Sequence, residues 1–306
     1  MNYKPKDDYT DKNSMSMPWI ESPFFDCILE NLDVAEELKI MAKNYNKDGY
    51  IILDLNLDNE TIFKINKDVE EIIKSNNFVG QEKYEYTNHR RLFQAWKKSE
   101  TIKNLTKNDK ILETLRFLYN KEPFAFSTIN FTNPTSQPLH SDTIHFNSYP
   151  KGWMVGVWVA FEDCDESNGT LRVVKGSHKW KEFDYNSINI QHPDNREDGE
   201  KRSYRDYDQF IKRLVVSKNA EEHIVKIKKG QAIIWSANLL HGGTPVSNDK
   251  VSRKSQAIHY FFHGCKKYYT PMFSVPMLGK YAEKWCNEKQ NIFTYKEKNN
   301  VISSNS

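Results

Sequence analysis

The chain has 306 residues, of which 38% are hydrophobic, 13% aromatic and 28% charged, a balance that suits a folded protein with one substantial core. Its formal net charge is only +3, with Lys and Arg dispersed among Asp and Glu, so no basic stripe marks a nucleic-acid partner. Cys27, Cys164, Cys265 and Cys286 form no C-x-x-C pair, and no apolar run reaches the length of a membrane span or a signal peptide; neither a disulfide framework nor a zinc ribbon is indicated, and a cytoplasmic setting is expected.

Residues 1–22 read as a polar leader, draped on the surface. Between 32 and 46, Val34, Leu38, Ile40 and Met41 fall near helical spacing, with Asp33 as the cap. Asp48-Gly49 ends that helix, and residues 50–55 (YIILDL) read as a short buried strand. Asp58-x-x-Thr61 opens a second helix through Val69, Ile72 and Ile73, and Leu112, Leu115 and Leu118 share one face of a third over 111–119.

From about Phe124 the texture changes to short β runs between turn signals: 125–131, 153–161, 170–174, 224–227, 232–235 and 255–262. That pattern predicts a mainly β jelly roll with flanking helices rather than βαβ units. The expected organisation is one domain over 23–290, with its core at 124–263 and a frayed polar tail at 291–306. The charged, Tyr-rich stretch 181–222 lacks clear periodicity and is expected to be an insertion, of the kind that serves as a lid.

Three fragments carry chemistry: Gln137-Pro-Leu-His140-Ser-Asp142, then Trp235 leading to His241-Gly-Gly, then Arg253 ahead of a strand. Two imidazoles and one carboxylate make a facial triad that leaves three metal positions open, enough for a bidentate 2-oxoglutarate and dioxygen. The H-x-D spacing puts both side chains on one face of a strand end. An isolated H-x-D arises easily by chance in a chain with nine histidines. Its weight comes from the second His after a later strand and from Arg253, suited to a bidentate clamp on the distal carboxylate of 2-oxoglutarate. His145, His178 and His192 are competing histidines.

From about 50 to 263 the chain resembles the phytanoyl-CoA dioxygenase family of Fe(II)/2-oxoglutarate oxygenases. The resemblance rests on HSD at 140–142, VWVAFED with N-G-T-L at 168–171, K-G-S-H at 175–178, and the His241 and Arg253 pair. It implies a double-stranded β-helix (a cupin-like jelly roll), Fe(II) held by His140, Asp142 and His241, and consumption of 2-oxoglutarate and O2. The implied reaction hydroxylates a substrate C–H bond and releases succinate and CO2. Arg253 matches the cosubstrate anchor, Trp158 matches a Trp bordering 2-oxoglutarate, and Asn130 is a further candidate donor to it. Gly243 stands where relatives carry a hydroxyl residue, and Thr244 is the candidate replacement. With Asp142 in the carboxylate position a halide has no vacant ligand site, so halogenation is disfavoured.

The substrate is expected to be a small, polar metabolite, free or carrier-bound, met by Thr143, His145, Phe146, Tyr204 and Arg205. Two other classes compete: a cupin-like metal or ligand-binding module without turnover, and a zinc hydrolase using the same triad. The intact triad and Arg253 argue against the first. The lack of an E-x-x-H motif to supply a general base argues against the second.

Overall fold

Two β-sheets face each other across a shared core, and helices cover the outer face of the larger one. The computed structural model describes residues 9–13, 15–75, 91–192, 198–246, 251–272, 293–296 and 301–304. Cys286 lies outside them, as do 193–197 of the expected insertion and 291–292, 297–300 and 305–306 of the expected tail.

In chain order the strands are β1 (Tyr50–Asp54), β2 (Arg91–Phe93), β3 (Pro123–Phe131), β4 (Asn147–Tyr149), β5 (Met154–Ala160), β6 (Leu171–Val173), β7 (His223–Ile224), β8 (Gln231–Ser236), β9 (His241–Gly243), β10 (Ser255–Phe262), β11 (Lys267–Tyr269), β12 (Phe293–Lys296) and β13 (Val301–Ser304). The larger sheet is antiparallel, in the order β1-β8-β5-β10-β3-β2. The smaller runs β7-β6-β9, and a bridge between His140 and His241 extends it to the segment that bears the H-x-D. Sheets stacked in antiparallel crossovers of this kind make a jelly roll.

Period-two alternation divides the larger sheet into two faces. Val155, Val157, Val159, Ile234, Ile258, Tyr260 and Phe262 face the helices, while Trp158, Ala160, Ile233, Trp235 and Ala257 face the smaller sheet and pack with its Leu171 and Val173. The helices are α1 (Phe25–Glu30), α2 (Glu36–Asp48), α3 (Asn59–Ser75), α4 (Glu100–Leu105), α5 (Asp109–Tyr119) and α6 (Asp198–Ser217). Asp58 caps α3 by accepting from the Thr61 amide at 2.6 Å, and Asn108 caps α5. Ala35, not Asp33, occupies the cap position of α2. Gly49 ends α2 at φ +83°, and a Cβ there would meet the His178 ring at 2.5 Å, so both conformation and space require glycine.

Four expectations change. The leader is not merely draped: Trp19 and Ile20 are buried, and Trp19 Nε1 donates to the Phe117 carbonyl at 3.1 Å. β1 is a half-buried edge strand with Ile52 exposed, rather than a buried one. The tail contributes β12 and β13, which pair with each other. Nearly half of the stretch without clear periodicity is α6, whose Tyr207, Ile211 and Val215 are buried at i, i+4 and i+8. Tyrosines on the buried stripe and charges elsewhere hid that period in the sequence.

Candidate metal centre

His140, Asp142 and His241 meet at one end of the space between the sheets, all buried, with one ligand atom from each lying within 4.8 Å of the others. His140 ends a strand-like bridge, and the chain then turns, so that Asp142 opens a short 3-10 turn, Asp142–Ile144. His140 Nε2 and His241 Nε2 lie 3.7 and 3.6 Å from Asp142 Oδ1.

The outer nitrogens are tied in the same way. His140 Nδ1 reaches the Pro138 carbonyl and His241 Nδ1 the Leu239 carbonyl, each at 2.9 Å. A carbonyl only accepts, so both Nδ1 atoms carry the proton and both Nε2 lone pairs face Asp142 Oδ1. Burial, and then the neighbouring His241, hold the His140 imidazole well below the usual range, so it stays neutral. Burial alone would raise the Asp142 carboxyl; His241, His259 and His140 outweigh it and hold it below its ordinary value. Two imidazoles and one carboxylate converging on one point are a donor set for a divalent first-row metal.

Asp142 owes its orientation to a residue pair that the sequence did not flag. Trp235 Nε1 donates to Asp142 Oδ2 at 2.9 Å, leaving Oδ1 for the metal. The indole reaches there because Gly156, its cross-strand partner, has no side chain: a Cβ at 156 would lie 2.2 Å from the ring. A glycine in the middle of a buried strand was the available signal.

Beyond this centre lies Arg253. It is buried, and among the described residues no carboxylate pairs with it. Nη1 donates to the Gly169 carbonyl at 2.9 Å, Nε has no partner, and the guanidinium lies over the rings of Phe131 and Trp158, 5.1 and 5.5 Å from their centroids. Burial pulls its pKa down to about 10. Trp158 Nε1 and Thr244 Oγ1 are likewise buried without partners. Trp158 lies one inward row from the metal level, roughly 7 Å along the strand. A buried cation with a spare donor in the same interior suits a carboxylate.

The other expected site residues divide. His145 and Phe146 flank the centre: the His145 ring is 5.8 Å from that of His140, and Phe146 is 5.1 Å from His259. Tyr204 arrives on α6, 5.3 Å from the His145 ring and hydrogen-bonded to Gln137, whose amide nitrogen is 3.2 Å from His140 Nε2. Three residues are corrected. Asn130 lies on the helix-facing side of β3, donating to Gln256 Oε1 at 3.1 Å, because alternation from the inward Phe131 turns it outward. Thr143 is bound to Ser141 Oγ at 2.6 Å and lines a cavity behind the metal-bearing turn. Arg205 is exposed and 3.9 Å from Asp206.

The phytanoyl-CoA dioxygenase (PhyH) family model matches residues 45–255. Over 134 residues the chain is 31% identical to the peroxisomal phytanoyl-CoA dioxygenase of Rattus norvegicus and 28% identical to that of Bos taurus. These matches cover 42% of this chain and 34% of each relative, about a third of the relatives' length. Among solved structures it resembles the non-heme α-ketoglutarate-dependent epimerase SnoN from nogalamycin biosynthesis, with TM-score 0.56, 15% identity, and coverage of 80% of this chain and 91% of that one. It also resembles EctD from S. alaskensis, solved with 2-oxoglutarate and 5-hydroxyectoine, with TM-score 0.55, 15% identity, and coverage of 75% and 76%. The structural likenesses establish the fold. The family model, spanning more than half of the chain and both parts of the His-Asp-His centre, shows that this protein belongs to the phytanoyl-CoA dioxygenase family.

Proposed function

We propose that this protein is an iron(II)- and 2-oxoglutarate-dependent dioxygenase that hydroxylates a C–H bond of a small, polar molecule. His140, Asp142 and His241 would hold the iron, Arg253 the distal carboxylate of 2-oxoglutarate, and Trp158 and Thr244 would flank it. When bound, iron and 2-oxoglutarate supply the oxidising chemistry: one O2 yields hydroxylated product, succinate and CO2.

The protein's own residues do the rest. The Pro138 and Leu239 carbonyls fix both histidine tautomers, and Trp235 sets the carboxylate. Gln137, His145, Phe146 and Tyr204 line the approach to the centre, and α6, which carries Tyr204, is suited to act as a lid. With no halide position left beside Asp142, hydroxylation is favoured over halogenation. Cys27, Cys164 and Cys265 are free, which fits a cytoplasmic setting, and no helix among the described residues is long and apolar enough to cross a membrane.

The observation that carries this reading is Arg253: a buried guanidinium with no paired carboxylate among the described residues, in the same interior as the His-Asp-His face. A metal-binding module or a zinc hydrolase has no use for that charge, and an isolated buried cation is costly. The test is anaerobic reconstitution with Fe(II) and 2-oxoglutarate, then O2, with succinate measured against His140→Ala. Succinate absent from the variant supports the oxygenase. No succinate, together with no visible Fe(II)–2-oxoglutarate charge-transfer band, overturns it in favour of the binding module.

A further inference from the structure

Four residues stand in register across the larger sheet at the level of the metal centre: Trp235 opposite Gly156, Gly156 opposite His259, and His259 opposite Ser127. Two of them are accounted for, since Trp235 holds Asp142 and Gly156 makes room for it. His259 and Ser127 are not. Both are buried, at 5% and 1% exposure, and both face inward. A β-bulge between His259 and Tyr260 turns Phe126 inward beside Ser127.

His259 Nε2 is 4.0 Å from Asp142 Oδ2, but among the described residues its Nδ1 has no hydrogen-bond partner, and neither has Ser127 Oγ. Burying such groups unpaired is costly, so an adjacent pair calls for a reason. Thr128 and Asn130 also leave an oxygen unpartnered, but on the helix side of β3, away from the centre. The His259–Ser127 pair stands beside the metal ligand itself. Around it are apolar rings: Phe146 at 5.1 Å and Phe126 at 6.1 Å from His259, with Phe261 stacked on Phe126 at 4.1 Å.

We infer that His259 and Ser127 form a polar subsite for the prime substrate, and that the group they take is a neutral alcohol or amide flanked by apolar or aromatic surface at that end of the small, polar molecule. The inference rests on the oxygenase reading above. At 4.0 Å from Asp142 Oδ2 the His259 Nε2 makes no hydrogen bond that fixes the tautomer, so Nδ1 can donate or accept, and Ser127 does both. The pair therefore complements a neutral group with one O–H or N–H donor and one acceptor. A carboxylate does not suit it, because it would meet the charge of Asp142.

The probes are benzyl alcohol and benzamide, compared with toluene. Binding to the Zn(II)- and 2-oxoglutarate-loaded protein is followed by saturation-transfer NMR. Wild type should bind the two polar probes on the order of tenfold more tightly than toluene. Ser127→Ala, which deletes only a hydroxyl, should narrow that ratio, and Ser127→Ala with His259→Leu should abolish it. The metal-free double variant should melt no lower than wild type, because two unmet polar groups are gone. Equal binding of all three probes to wild type overturns the inference. So does a loss of several degrees in Tm in both variants, since the pair would then be structural. The charge-transfer band of wild-type Fe(II) protein decides the oxygenase reading separately, since the probe assay needs neither iron nor turnover.

Discussion

Two carboxylates stand back to back in this protein, Asp142 buried and Glu21 partly so, and consecutive residues of β8 serve them. Trp235 Nε1 donates to Asp142 Oδ2 at 2.9 Å on the inward face, and Ser236 Oγ donates to Glu21 Oε1 at 2.6 Å on the other. Their charge states diverge. Asp142 has three imidazoles around it, which outweigh burial and keep it ionised. Glu21 meets hydroxyls instead: Ser236 links it to Tyr119, which bonds Tyr45 at 2.8 Å, and desolvation, with Glu182 adding to it, pushes its pKa up to about 7. The acid among imidazoles is held ionised and the acid among hydroxyls is not, so the companions of each help set its charge.

The contrast can be broken most sharply at Asp142. Asp142→Asn keeps the shape and an acceptor for Trp235 but removes the charge, and Zn(II) or Fe(II) affinity measured by calorimetry should fall by at least about a hundredfold, since even indirect ligand supports are worth ten to a hundred. A variant with unchanged affinity would dismiss the centre. Arg253 is a third buried charge, and its partner is proposed to come from outside the protein. Arg253→Met should weaken 2-oxoglutarate binding by roughly thirty- to a hundredfold while Tm holds or rises, because a buried cation is traded for an apolar side chain. A fall in Tm without loss of 2-oxoglutarate would mark it as structural instead.

Gly156→Ala tests the orientation of Asp142 rather than its charge. The added methyl displaces the Trp235 indole, and metal affinity should drop about tenfold with the ligands themselves untouched. Retained affinity would show that Asp142 holds its place without the indole.

On the other side of β8 the effect is one of stability and depends on pH. Glu21 is raised when folded, so between pH 4.5 and about 7 the folded state binds more protons than the unfolded one. Stability must therefore fall as pH rises through that window, and the full penalty applies above it. Glu21→Gln should gain on the order of 1–2 kcal/mol over wild type at pH 8 and nothing at pH 4.5, as read from urea melts. A gain independent of pH would mean that Glu21 is not ionised at a cost. Smallest of all, Ser236→Ala should lose about 0.5–1.5 kcal/mol, more at pH 8 than at pH 5, because the hydroxyl helps the charged form most.

Much of the centre was legible in the linear chain. His140, Asp142, His241 and Arg253 stand at motif positions, and the metal chemistry needs those residue types in that order. The strands were legible too, since β10 occupies the same residues, Ser255–Phe262, that the aromatic run predicted. What surrounds the ligands was not. Asn130 looked like a cosubstrate donor until the register turned it toward the helices, and Thr143 until its hydroxyl was found bonded to Ser141. The support of Asp142 by Trp235 spans 93 residues, and the His259–Ser127 pair depends on strand pairing and a bulge. Tyr204 enters only because α6 packs across the metal-bearing turn, where Tyr207 accepts from the Ser141 amide at 3.4 Å. Residue type and spacing determined the candidate ligand set and the β-rich class, and the family resemblance singled out Arg253 as the candidate anchor, because these need only residue identity and local periodicity. Register, side-chain direction and the company each buried charge keeps were decided by the tertiary structure, because a one-residue shift in pairing sends a side chain to the opposite face.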